Sequence, residues 1–144
     1  MHHSQSNRMI TDNSRPQINL FNSFIPTVCG APRWMPPKVL EPNLDSDIMN
    51  TTSDNSPFTK QSDIYSLGMT ILEVLTVKIP YNHRRYDTAA IFDIIQGIRP
   101  PRPTVSYALW DLLNSCWQAL SKNRPTAKEV KLGLDTLESI EDSL

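Results

Sequence analysis

Glycine is scarce in this chain. The four glycines, Gly30, Gly68, Gly97 and Gly133, are spread so widely that no two can form a glycine-rich strap over a phosphate chain. Cysteine is as rare. Cys29 and Cys116 lie far apart without metal-ligand spacing, which excludes a disulfide framework and a structural zinc and fits free thiols in a reducing compartment. No run approaches the ~20 apolar residues of a membrane span, and the first residues lack the apolar core of a secretion signal. A soluble, cytoplasmic protein is the expectation. Charge of one sign is missing too: 14 Lys and Arg stand against 15 Asp and Glu, so nothing in the balance favours a nucleic-acid or membrane partner. No internal repeat appears.

What is present is one domain's worth of chain, 144 residues with 39% hydrophobic content, read as mostly α with no clear strand. Residues 1–17 are polar and form a disordered tail in which His2 and His3 are simply solvated. Residues 18–25 hold Ile18, Leu20, Phe21, Phe24 and Ile25 with neither helical nor strand period, the pattern of an irregular packed segment. Pro32, Pro36 and Pro37 then make a rigid, donor-poor loop from which a short helix starts near Pro37. Residues 41–57 are a polar surface loop whose Thr51, Thr52, Ser53 and Ser56 are phosphorylation candidates. The sequon Asn50-Thr51-Thr52 carries no weight without a secretion signal.

Four helices follow. In the first, Ser62 is the expected N-cap and Ile64, Leu67, Gly68, Ile71, Leu72 and Leu75 the inward stripe. Tyr65, Met69 and Val74 on its other side leave the helix apolar nearly all round, a buried core axis that Pro80 ends. His83-Arg84-Arg85 forms a solvated basic turn. Asp87 is expected to cap a second helix with Ile91, Ile94, Ile95 and Ile98 inward and Gly97 near its end. Arg99-Pro100-Pro101-Arg102-Pro103 is a rigid connector, with an SH3 ligand as the alternative. Ser106 caps a third helix bearing Leu109, Leu112, Leu113, Cys116, Trp117 and Leu120. The capping box of Thr126 and Glu129 opens a fourth, with Val130, Gly133, Leu134 and Leu137 inward and residues 141–144 frayed.

Taken in order, these segments resemble the C-terminal lobe of a eukaryotic protein kinase, nearest the tyrosine-kinase-like serine/threonine group. Gly30 with Arg33-Trp34-Met35-Pro36-Pro37-Lys38 is similar to the end of the activation segment, Arg-Trp-Met-Ala-Pro-Glu in the family. Lys60-Gln61-Ser62-Asp63-Ile64-Tyr65-Ser66-Leu67-Gly68 resembles the opening of the family's buried central helix. Pro80-Tyr81, Ile94-Ile95-Gln96-Gly97 with Arg99-Pro100, Ser115-Cys116-Trp117 and Asn123-Arg124-Pro125-Thr126 continue the series across residues 30–137.

The resemblance implies an incomplete kinase-like fold, with residues 18–140 a partial kinase domain. It implies a substrate-positioning loop at Gly30, Arg33, Trp34, Pro36 and Pro37, and structural roles for Lys38, Asp63, Gly68, Trp117 and Arg124. Two departures stand out: Ala31 replaces a threonine, and Lys38 replaces the glutamate that pairs with the arginine matching Arg124. Lys38 is therefore expected to turn to solvent and leave Arg124 another acceptor. Asp63, which in the family binds the catalytic-loop backbone, is expected to act here as a helix N-terminal carboxylate.

Phosphoryl transfer requires a glycine-rich strap, a strand lysine, a catalytic-loop Asp with a nearby Asn, and the Asp of Asp-Phe-Gly. None is present, so no catalytic, cofactor-binding or metal residue is assigned. ATP and Mg are expected only for a complete family member. Three readings follow: a piece of a Ser/Thr or Tyr kinase domain inactive as it stands, a free-standing pseudokinase-like binding module, and an unrelated helical scaffold. A protein partner or the missing kinase half is expected to cover the apolar surface that family elements preceding the activation segment bury.

Overall fold

The computed structural model describes residues 31–41, 56 and 58–143. The expectations for the tail at 1–17, the segment 18–25, Cys29, Gly30 and the loop residues Thr51, Thr52 and Ser53 lie outside the described residues. Ser56 is described and exposed.

The described chain is helical, with no strand among the described residues. A 3-10 turn at Pro32–Trp34 leads into a one-turn helix, α1, at Pro37–Leu40; α2 spans Lys60–Thr76, α3 Asp87–Ile95, α4 Tyr107–Cys116 and α5 Ala127–Glu141, with a second 3-10 turn at Ser121–Asn123. The axis is α2. It packs on α4 and on the first 3-10 turn, α3 packs on that turn and on α1, and α5 packs on α4. One core results, built from Ile64, Tyr65, Met69 and Leu72 of α2, Ala90, Ile91 and Ile94 of α3, and Leu113, Cys116 and Trp117 at the end of α4.

The ends of α2 differ from expectation. Its N-cap is Thr59, not Ser62: Thr59 Oγ1 accepts the Ser62 amide at 3.2 Å and Ser62 Oγ accepts the Thr59 amide at 2.6 Å. This reciprocal box places Ser62 at the third helical position, where a short hydroxyl can reach back to the cap. At the other end the helix stops before Pro80, because Val77 turns left-handed at φ 53° and donates its amide to Glu73.

The buried face of α2 also differs. Tyr65 and Met69 are fully buried, whereas Leu67, Leu75 and Val74 are 37%, 44% and 72% exposed. A helix with apolar residues on every side has no phase that its own pattern can select. The choice comes from Gly68, where the bare backbone lets Trp117 and Cys116 of α4 approach so closely that a Cβ would stand 2.7 Å from Trp117 Nε1 and 2.9 Å from Cys116 Cβ. The side of α2 carrying Gly68 therefore faces α4, and Tyr65, Met69 and Leu72 follow it inward.

In α3, Asp87 is the first helical residue and Tyr86 the cap, which makes no side-chain bond. Gly97 takes φ 74°, and the amides of Gly97 and Ile98 bond the carbonyls of Ile94 and Asp93. This is the left-handed closing turn that glycine adopts without strain. Ile98 beyond it is half-exposed. Ser106 caps α4 as expected, through the Leu109 amide at 3.3 Å. Leu120 lies past the end of that helix and is exposed, because Trp117 already leaves helical geometry. The capping box of Thr126 and Glu129 opens α5 as expected, and Val130 is buried. In the connector Pro100 is buried while Pro101 and Arg102 are exposed, and the Arg102 guanidinium lies 3.9 Å from the Tyr107 ring centroid.

Candidate functional site

The segment from Ala31 to Leu40 is where the candidate residues gather. Three prolines hold its backbone, and Pro32 and Pro37 each open a short helical turn whose first position needs no amide hydrogen. Arg33 is the anchor. Its side chain is 4% exposed and uses three nitrogens: Nε donates to Asp87 Oδ1 at 2.6 Å, Nη1 to the carbonyls of Pro80 and Tyr81 at 3.1 and 2.7 Å, and Nη2 to the carbonyl of Arg84 at 2.9 Å. The guanidinium thus closes the turn between α2 and α3, where Tyr81 is held left-handed at φ 55°. A planar fork can meet four acceptors at once, which a lysine ammonium cannot.

Trp34 is tied to α2 twice, by its indole donating to Glu73 Oε2 at 3.0 Å and by its carbonyl accepting from Ser66 Oγ at 2.8 Å. Pro36 is buried and Pro37 half-buried. Arg33 and Trp34 therefore position the loop by binding the scaffold, and their side-chain donors are spent there.

Asp93 and Arg84 form a second tie that the sequence reading missed. Asp93 is 1% exposed and receives Arg84 Nε at 2.6 Å and Nη2 at 2.9 Å, with His83 Nε2 at 3.6 Å. The basic turn His83-Arg84-Arg85 is exposed as expected, but Arg84 is also bound to α3, because a carboxylate buried in an apolar helix requires a cation. The available signal was Asp93 itself, the lone charge between Ile91 and Ile95. Asp93 holds the Arg84 guanidinium above its ordinary pKa, first through their hydrogen bonds and then through charge.

The remaining candidates divide. Lys38 is exposed, and Asp63 is exposed and makes no side-chain bond among the described residues. Arg124 is buried, donating Nε to the Gln118 carbonyl and Nη1 to the Gln61 carbonyl, both at 2.9 Å, with its guanidinium 5.2 Å from the Tyr65 ring centroid. Burial pushes the Arg124 pKa down and the Tyr65 and Cys116 pKa values up. Arg99 donates to the Trp117 carbonyl, and Trp110 meets Trp117 edge-on at 5.6 Å. No group of three His, Cys, Asp or Glu able to hold a metal occurs among the described residues, and no described helix is long and apolar enough to cross a membrane.

Comparison with known proteins agrees with this geometry. A putative serine/threonine-protein kinase/receptor of Acanthamoeba polyphaga mimivirus is 29% identical over 139 residues, 96% of this chain and 8% of that protein. A dual specificity protein kinase of Dictyostelium discoideum is 31% identical over 111 residues, 75% of this chain and 13% of its own length. The kinase suppressor of Ras A of Caenorhabditis elegans is 37% identical over 86 residues, 58% of this chain and 11% of its own. The chain thus spans a small fraction of the relatives it matches. The model of the protein kinase domain matches residues 8–132, a span that removes the reading as an unrelated helical scaffold. With that match and the helical arrangement behind the Arg33 loop, the chain belongs to the protein kinase domain family.

Proposed function

We propose that this chain is the C-lobe part of a protein kinase domain, that it supports a peptide-substrate loop, and that by itself it transfers no phosphate. The observation that carries the reading is the Arg33 clamp, four hydrogen bonds that lock the Pro32–Trp34 turn onto Pro80, Tyr81, Arg84 and Asp87. A loop fixed this firmly presents the backbone of its outer face, at Ala31 and Lys38, in a constant position. Phosphoryl transfer depends on groups that cradle the phosphates, hold the metal and accept the hydroxyl proton. This sequence contains neither Asp-Phe-Gly nor His-Arg-Asp. ATP and Mg belong, on this reading, to a complete kinase domain, and the partner is a protein or the other part of such a domain. On this reading the parent domain acts on protein Ser/Thr, with Tyr as the alternative, and works in the cytoplasm.

The test is incubation of the purified chain with labelled ATP, Mg and generic protein substrates. No incorporation is expected. Incorporation that a substitution within the chain abolishes overturns the reading.

A second reading, a free-standing binding module, is favoured by one observation. An open groove of about 490 Å³ between α4 and α5 is lined by Ala108, Leu112, Leu132, Leu137 and Ile140. The genomic sequence upstream separates the two: in-frame Asp-Phe-Gly and His-Arg-Asp support the first, and a start codon in non-coding context supports the second.

A further inference from the structure

A cavity of about 90 Å³ lies where α1, the start of α2 and the 3-10 turn Ser121–Asn123 meet, and its lining includes Lys38, Thr59, Ser62, Ser121 and Arg124. Two basic and three hydroxyl residues line it, and among the described residues no acidic one does. Arg124 is only 9% exposed, and no carboxylate lies within salt-bridge distance of it among the described residues. Its bonds go to two carbonyls, which occupy two of its nitrogens, and beside the Tyr65 ring no carboxylate among the described residues balances its charge. A buried guanidinium in that state gains from an anion. Lys38 adds a second positive charge on a flexible, exposed stem, and the positive end of the 17-residue helix α2 adds to the same field. The volume suits one small oxyanion and is too small for a nucleotide or a peptide.

We propose that this cavity is a site for a single phosphate group, either the free ion or a phosphate monoester, held between Lys38 and Arg124 with the hydroxyl of Ser121 as a further donor. The Thr59 and Ser62 hydroxyls already serve the α2 capping box and shape the wall.

The test is equilibrium dialysis of the full chain against labelled inorganic phosphate at fixed ionic strength, with Lys38→Ala and Lys38→Glu beside it. Lys38 is exposed, so both variants keep their fold, which far-UV circular dichroism verifies. Saturable binding is expected, weakened about tenfold in Lys38→Ala. It is expected to be lost in Lys38→Glu, whose carboxylate takes the place of the ion. Unlabelled N-acetyl-phosphoserine amide is then added. Displacement of the label assigns a site open to phosphorylated side chains, and no displacement assigns a site for the free ion. Absence of saturable binding overturns the proposal, as does undiminished binding in Lys38→Glu.

Discussion

At position 68 the missing side chain sets the distance between two helices. A Cβ there would stand 2.7 Å from Trp117 Nε1 and 2.9 Å from Cys116 Cβ, both on rigid groups at the end of α4. Gly68→Ala must push α4 outward or tilt Trp117, and overpacking of this kind costs ~1–3 kcal/mol despite the gain in helix propensity. A lower urea midpoint at unchanged slope is the expected result, and an equal or higher midpoint would show that α4 yields freely. Arg33 acts in the same way through hydrogen bonds. Arg33→Lys keeps the charge but cannot reach Asp87 and three carbonyls together. A loss of about 2–3 kcal/mol is expected, and a variant as stable as the parent would reduce the clamp to ordinary surface contacts.

The helices show how burial and capping divide the energetics of an element. In α2, Met69 is fully buried and Val74 is 72% exposed, although both stand on the side expected to face away from the stripe. Met69→Ala is expected to cost ~2–5 kcal/mol and Val74→Ser to stay within ~0.5 kcal/mol of the parent. Similar losses in chemical unfolding would return the helix to the expected face. In α5, the Thr126 amide, and after it the Thr126 hydroxyl, hold Glu129 below its ordinary value of 4.5. A depressed folded pKa contributes stability that is complete above the unfolded value and lost as pH falls through the folded one. Unfolding free energy should therefore fall below pH 4.5, and Glu129→Gln should flatten that part of the profile. A profile of unchanged slope in the variant would remove the capping box as its source.

At the scale of the whole molecule, apolar surface remains on the outside. Leu67, Val74, Leu75 and Val77 at α2 and Leu132 and Ile140 on α5 are exposed among the described residues. Exposed apolar side chains in this number favour an interaction site or a tendency to associate. The purified chain is expected to bind a hydrophobic dye and to sediment faster as its concentration rises. A monodisperse protein with no dye response would show that these side chains are covered in solution, and would favour the autonomous module over part of a larger kinase domain.

The sequence by itself determined the helical class, the four long helices, the caps at Ser106 and Thr126, the glycine closing α3 and the motif order of the protein kinase family. These are local: a cap, a turn glycine or an apolar repeat acts within about one helical turn of its own position. Tertiary structure alone decided which side of α2 is core, because a helix apolar all round selects its buried face only when a partner such as Trp117 arrives at Gly68. It also decided the fate of the charges. Arg33, Arg84, Asp87 and Asp93 are ordinary surface residues as letters, and they become two ties only when folding brings Arg33 to Asp87 across 54 positions of chain. Whether a charge is solvated or bound depends on the dielectric around it and on its neighbours, and both are properties of the folded chain.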